Sequence, residues 1–438
     1  MPKLLIVLLL LSSAVLQSQQ PINPAALGSG SITTDGASSR NNTVGVGMTV
    51  AGVFDDNATN PMNTAQALSD YRFSVQPQLS LDLERSRSSS VLSYSPGYTY
   101  SSKISAYNSA SHAASADVRY ELSKRLSLHF INEFCLSTSA YDSFKASAEL
   151  SSIGILNRPN ASVVGTNIRS TTEQSQLDVA YQLGRHTSVG IGGRVADLNY
   201  QTPTLSVPDN SVLQHSRGWT GNAFYSQQLT ARYSFGIQYS AETLNSQAPT
   251  GLFSLLSHQV IGFLNVTLNP VVSFSVFLGP EFANLDNSYV PLVFTSHSTR
   301  KSLTGGGIFN VRGKRNGLSA SFVQQISDSG LNGAGSLLVR TAQVQLKHQI
   351  ANRVTLNTFG TYISNNQLDP LSPVLLADSA SAGVTFTKSI TPRISVNISG
   401  MRQQIIGTPG QALSQFAQHS HDVATVSLSY TFVRPIGR

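Results

Sequence analysis

The chain has 438 residues, 29 Lys and Arg against 22 Asp and Glu, and a net charge of +7; only 12% of its residues are charged, about half the ~25% usual in soluble globular proteins. Mean hydropathy is −0.04 with 40% hydrophobic residues, so Ser, Thr, Asn, Gln and Gly replace the missing charge, which excludes a helical membrane protein, while 19 Phe and 15 Tyr exclude a disordered chain. A single cysteine, Cys135, excludes an internal disulfide framework and a multi-cysteine zinc site.

Lys3, the apolar run Leu4 to Leu11 and the small residues Ser12, Ser13, Ala14 and Ser18 have the order of a secretory signal. The run is too short to cross ~30 Å of hydrocarbon as a helix. Residues 1–18 are therefore expected to be a cleaved signal peptide, and 19–42, small, polar and Pro/Gly-bearing, a flexible periplasmic lead-in.

From Thr43 onward apolar and polar residues alternate. Tyr71, Phe73, Val75, Pro77, Leu79, Leu81 and Leu83 face one way; Arg72, Ser74, Gln76, Gln78, Ser80, Asp82 and Glu84 face the other. A period of two marks a strand with one apolar face. Runs of this length exceed the usual ~5–6 residues of a soluble strand and match the ~9–11 that cross a bilayer at a tilt.

An internal repeat organises these strands. An apolar residue is followed at +4 by Leu or Ile, at +7 usually by a basic residue, at +9 by Ser or Thr and at +10 by an apolar residue. Copies begin at Val118, Val179, Tyr225, Leu264, Leu346 and Phe386, with a degenerate one at Ile308 beside Asn316-Gly317. Each holds the end of one strand, a tight turn and the start of the next. The basic residue past the turn suits the headgroup level, where a cation snorkels to phosphate; a solvent-facing turn charge is the alternative.

This rule predicts strands over 43–54, 70–84, 88–101, 113–122, 125–138, 173–184, 187–199, 218–228 and 231–241. It continues with 257–268, 271–283, 303–313, 317–327, 338–349, 353–364, 379–389, 393–404 and 422–433. The total is eighteen, with sixteen as the alternative count. Short turns are expected to alternate throughout with longer loops: 55–69, 139–172, 200–217, 242–256, 284–302, 365–378 and 405–421. An even strand number with this asymmetry describes an all-β, antiparallel up-and-down transmembrane barrel over 43–433, followed by a short tail, 434–438. Such a barrel satisfies every backbone hydrogen bond in lipid.

The last strand ends Leu428-Ser429-Tyr430-Thr431-Phe432. On this segment and the strand pattern, the chain resembles the bacterial outer-membrane β-barrel proteins, and by strand number their porin-like group. Leu428, Tyr430 and Phe432 are then the assembly signal read by the barrel-assembly machinery. The chain departs from that signal in having Ser427 where Gly is favoured and in the six residues that trail Phe432. The resemblance further implies residence in the outer-membrane lipid, a small polar solute as cargo and a homo-trimer as the common assembly. In general porins the third long loop folds into the lumen, which makes Asp142, Lys145, Glu149 and Arg158 of loop 139–172 constriction-loop candidates; an external surface loop is the alternative.

Charges on the polar faces are the pore-lining candidates: Arg72, Asp82, Glu84, Asp117, Arg119, Glu121, Glu133, Asp178, Arg194, Arg232, Arg312 and Lys347. Their signs are interleaved, so strong ion selectivity is not expected, since single-sign rings produce it. No catalytic set is expected: Ser127 and His129 share a face, but i and i+2 lie about 6–7 Å apart along a strand, too far for a nucleophile and its base. No cofactor, metal or nucleic-acid partner is expected, because the histidines are scattered, no phosphate loop occurs and the basic residues form no dense patch. The expectation is an outer-membrane channel for passive diffusion of small polar solutes. Its alternatives are a non-conducting surface barrel acting as adhesin or structural scaffold, and a soluble propeller, disfavoured because each repeat holds two long strands rather than four short ones.

Overall fold

A computed structural model describes residues 42–58, 68–137, 169–201, 215–248, 251–289, 294–328, 336–367, 377–407 and 419–436. They form β1 (Thr43–Asp55), β2 (Asp70–Glu84), β3 (Ser88–Ser101), β4 (Ser109–Glu121), β5 (Leu126–Ser137) and β6 (Arg169–Gln182). Next come β7 (Thr187–Gln201), β8 (His215–Gln228), β9 (Tyr233–Ala248), β10 (Gly251–Thr267), β11 (Val272–Tyr289) and β12 (Phe294–Arg312). The last six are β13 (Asn316–Asp328), β14 (Ser336–Ala351), β15 (Val354–Gln367), β16 (Ala377–Ser389), β17 (Ile394–Gly407) and β18 (His419–Pro435).

Every strand pairs antiparallel with its sequence neighbour, and β1 pairs with β18 from Thr43↔Pro435 to Asp55↔Val423, which closes the sheet. All eighteen predicted strands are present, so the porin-like resemblance holds as a statement of fold. Closure leaves no sheet edge, the condition for exposing a sheet to hydrocarbon.

Alternation sets the two faces. On β9, Tyr233, Phe235, Ile237 and Tyr239 are exposed, while the residues of opposite parity, Ser234, Gly236 and Gln238 and then Ser240, Glu242 and Leu244, are half-buried or buried. The first set looks outward and the second into the lumen. The same outward apolar face runs round the barrel through Leu79, Leu92, Leu177, Ile191, Leu278, Val344, Ile398, Val426 and Leu428.

Tight turns at one end share a construction. The N–H groups of Leu183, Leu229, Leu268 and Ile390 bond the carbonyls of Thr187, Tyr233, Val272 and Ile394. Ser123, Thr230, Asn269 and Thr391 accept two backbone N–H groups each on their side chains, from two and three residues on. These are the Asx- and ST-turns that short polar side chains favour. The residue at +7 then passes its carbonyl to the next hairpin: Arg125 to Gln182, His186 to Gln228, Arg232 to Thr267, Arg353 to Ser389 and Arg393 to Thr431. Thus the repeat encodes a capped turn and a register pin between hairpins.

At the opposite end the structure corrects the sequence boundaries. β9 and β10 pair up to Ala248↔Gly251, so most of the expected loop 242–256 is strand, and the alternation of short and long connections breaks there. β11 and β12 pair as far as Tyr289↔Phe294, which shortens the expected loop 284–302 to residues 290–293. β6 starts at Arg169, inside the expected loop 139–172, and β18 runs two residues past the expected end at 433. The added residues of β9 and β12 are largely polar, as in Asn245-Ser246-Gln247, while β10 adds apolar residues on both faces, Leu252 and Leu256 on one and Phe253 and Leu255 on the other, so no polar–apolar alternation announces them. Ladder interruptions coincide with prolines: pairing is absent between Val75↔Tyr98 and Leu79↔Tyr94 around Pro77, and between Gln259↔Glu281 and Gly262↔Leu278 beside Pro280. Proline has no N–H to give the ladder.

Candidate functional site: the lumen wall

Inward positions that share a register form a continuous polar line. It starts with Arg119 on β4, close to that strand's turn-side end, and passes through His129, Asp178, Gly192 and Asn222. From there it continues through Ser240, Gln259 and Glu281 to Ser302, well up β12 from its turn-side end at Arg312. Nine adjacent strands thus contribute a polar residue or a glycine at one register level, and strand tilt makes the line climb the wall. One step above it, Asp117, Gln176, Arg194, Thr220, Glu242 and Ser257 belong to a parallel line that includes the buried Ile131.

Side-chain contacts tie these lines together. His129 Nε2 lies 2.9 Å from Asp117 Oδ1, and Arg119 Nε lies 3.6 Å from the same oxygen. Gln176 Nε2 donates to Asp178 Oδ2 at 2.5 Å. Arg194 lies close enough to Glu242 and Asp178 to act electrostatically on both. Glu281 accepts from the Thr304 hydroxyl, from Ser257 and from the Ile326 N–H. Asp178, Arg194, Glu242 and Glu281 are all buried, three carboxyl groups around one guanidinium.

Apolar side chains occupy the same lumen wall on either side of Glu242 and Glu281. Leu244, Phe253, Leu255, Ala283 and Leu285 cluster with Ile326 and Leu338 toward the long-loop end; Phe263, Phe277 and Val323 cluster with Ile261 toward the turn end. Leu244 and Ala283 have 0% exposure. This part of the wall is covered rather than bathed in water.

A second charged cluster lies where the barrel closes, at the long-loop end of β18, β1 and β2. Arg72 is ion-paired with Asp55, and His421 Nε2 lies 2.6 Å from Asp55 Oδ1. Asp70 accepts from the Ser101 and Ser102 hydroxyls at 2.5 and 3.2 Å and from the Lys103 N–H at 3.1 Å. This fixes the 3₁₀ turn Ser105–Tyr107 beside the cluster, and burial pushes the Tyr107 phenol up from its ordinary range. One ligand atom each from Asp55, Asp56 and His421 lies within 4.8 Å of the others, a spacing open to a metal, but Arg72 already supplies Asp55 with a cation.

The twelve pore-lining candidates separate accordingly. Asp117, Arg119, Asp178 and Arg194 are gathered on the polar lines, and Glu133 lies half-buried on the lumen face of β5. Arg72 belongs to the closure cluster. Asp82, Glu84, Glu121 and Arg312 lie at turn-side strand ends, Lys347 is an exposed lumen-face residue near the end of β14, and Arg232 is in the β8–β9 turn. Asp142, Lys145, Glu149 and Arg158 fall outside the described residues. Leu428, Tyr430 and Phe432 face outward on the closing strand, paired with Val50, Met48 and Val46 of β1. Glu242 and Glu281, absent from the sequence-based set, share the parity of Ser240 on β9 and of Ser275 on β11. That parity was the available signal.

No family model matches the chain, and no curated protein matches it. Among solved structures the chain is similar to OccAB3 of Acinetobacter baumannii, at TM-score 0.43 and 8% identity over 90% of this chain and 99% of that one. It is similar also to a BenF-like porin from Pseudomonas fluorescens Pf-5, at TM-score 0.45 and 10% identity over 89% and 99%. A third is the ferric citrate transporter FecA, at TM-score 0.47 and 8% identity over 88% and 78%. A likeness at these identities concerns the fold.

Proposed function

We propose that the chain is a bacterial outer-membrane channel, exported through a cleaved signal peptide and inserted by the barrel-assembly machinery, that passes small polar solutes by diffusion. The observation that carries this is the polar line Arg119 to Ser302 on the lumen wall of a barrel whose outside is apolar. Eighteen strands enclose a lumen too wide for side chains alone to fill. A solute that exchanges hydrogen bonds along a wall of alternating donors and acceptors loses little when it leaves bulk water. Interleaved Arg, Asp and Glu hold the net field low, so the channel accepts neutral and zwitterionic solutes and discriminates chiefly by size.

Planar-bilayer recording of the refolded protein tests this. Stable single-channel steps are expected, and a protein that inserts yet stays silent refutes the reading. The covered apolar wall around Leu244 and Leu285 favours a second reading, a non-conducting barrel that serves as adhesin or scaffold, which the silent result would support.

A further inference from the structure

Within the apolar band the ring is closed, but beyond it the seam between β12 and β13 opens. Their ladder runs from Arg312↔Gly317 to Gly305↔Gln324 and stops, although β12 continues to Phe294 and β13 to Asp328. Above that point β13 and β14 lie on the lumen side of their neighbours. Ile326 and Leu338 pack on Leu244, Leu255 and Leu285 of β9, β10 and β11, and the Ile326 N–H donates to the Glu281 carboxylate. Gly306 permits the close crossing, since a side chain there would run into the Phe322 carbonyl.

β12 stays paired with β11 as far as Tyr289↔Phe294, so its other edge is left open. Gln324 Nε2 donates to the Leu303 carbonyl at 2.7 Å from the β13 side, which shows that Leu303 turns its backbone groups away from β11. Backbone direction alternates along a strand, so Lys301, Thr299 and His297 turn theirs the same way. Among the described residues no backbone group pairs with them on that side. Their side chains are exposed and face outward beside Asn284 and Asp286 of β11, which puts the edge in water rather than in lipid.

We propose that this open edge of β12 is a docking site for an extended acidic segment of another protein, which adds to the sheet as a further strand. Unpaired N–H and C=O groups in a row are a template for strand addition, and main-chain hydrogen bonds supply the affinity. Charge selects the partner. Arg300 and Lys301 are consecutive on the edge, Arg340 lies beside it with its Nε donating to Gln324 Oε1 at 2.8 Å, and none of the three is in a described ion pair. Consecutive strand residues point to opposite faces, so two consecutive acidic residues in the added strand meet Arg300 on one face and Lys301 on the other. A second copy fits poorly, because pairing this edge with itself places two Arg300-Lys301 pairs in one ladder with no acid between them. The docking site is independent of whether the lumen conducts.

The test is a fluorescence-anisotropy titration of the detergent-solubilised full chain against a labelled, end-capped octapeptide, VTVDETVT, with VTVKKTVT as control. Folding of each variant is checked by its heat-dependent gel mobility. The wild type is expected to bind the acidic peptide saturably and the basic one at least tenfold more weakly. Thr299→Pro deletes an N–H from the open side, a change an edge strand tolerates, and should weaken binding at least tenfold. Lys301→Glu should reverse the preference between the two peptides. Of the two alternately N-methylated forms of VTVDETVT only one should bind, because only one set of amides faces β12. No saturable binding by the wild type, unchanged binding by Thr299→Pro, or equal binding of both methylated forms overturns the proposal. So does a wild-type dimer in sedimentation that Thr299→Pro converts to monomer, since the edge would then be occupied by a second copy. If Thr299→Pro does not fold, Lys301→Glu and the methylated peptides decide it.

Discussion

Arg393 holds its guanidinium 4.8 Å from the centroid of the Phe432 ring. The first is the basic residue of the last turn repeat, and the second is the final aromatic of the closing strand. Arg393 also accepts the Thr431 N–H on its carbonyl, so one residue fixes both backbone and ring at the end of β18. An exposed cation–π contact contributes about 0.5–1 kcal/mol. Arg393→Ala should therefore lower the yield of heat-modifiable barrel modestly on refolding into vesicles, while Phe432→Ala, which removes the ring itself, lowers it much further. Equal losses from the two would show that the stacking, and not the ring in lipid, dominates.

At the closing seam of the barrel, Asp55 carries both Arg72 and His421 in a nearly dry position. Removing one partner of a buried ion pair costs about 3–5 kcal/mol, because the other charge remains buried. Arg72→Ala is expected to lower the unfolding free energy, read from urea titration, by about that amount. The double variant Asp55→Asn with Arg72→Leu should be the more stable of the two. A single variant as stable as the wild type would remove the cluster from closure.

The turn caps give a smaller, repeated effect. Thr230→Ala and Asn269→Ala each delete two backbone-to-side-chain hydrogen bonds. A loss of about 0.5–1 kcal/mol each follows from the modest net value of exposed hydrogen bonds. Urea titration of the single variants and their combination would check it, with near-additive losses expected because the side chains lie in separate turns.

The covered apolar wall makes the opposite demand. Leu244 has 0% exposure and Leu285 1%, so truncation should leave a cavity and cost about 2–5 kcal/mol. Were these side chains simply lining open water, Leu285→Ala would be neutral in the same titration.

Under the channel reading, Glu242→Gln leaves the Arg194 charge in the wall without its first electrostatic partner. The reversal potential in a KCl gradient should then move toward greater anion preference. The shift should shrink near 1 M salt, where the screening length is about 3 Å. An unchanged reversal potential at low salt would place Glu242 outside the ion path.

Eighteen strands were legible because the two signals for them are local. Side-chain alternation reports which face meets lipid, and the repeated turn reports where each hairpin reverses. Where both signals stop, legibility stopped too. The long-loop ends of β9 and β12 are largely polar and that of β10 is apolar on both faces, so their pairing left no alternating trace. The same limit separated Asp178 and Arg194, which were expected on the lumen face, from Glu242, which fell in an expected loop.

What the sequence by itself determined is therefore the barrel: strand number, direction, turn end and the face each residue presents, all consequences of spacing within a dozen residues. Only the tertiary structure decided which inward residues meet. Asp178 touches the space over Gly192, and Asn222 reaches it from the other side, because hydrogen-bond register and strand tilt carry one row across nine strands. Register belongs to pairs of strands and tilt to the closed sheet, so neither is written in the alternation of a single strand.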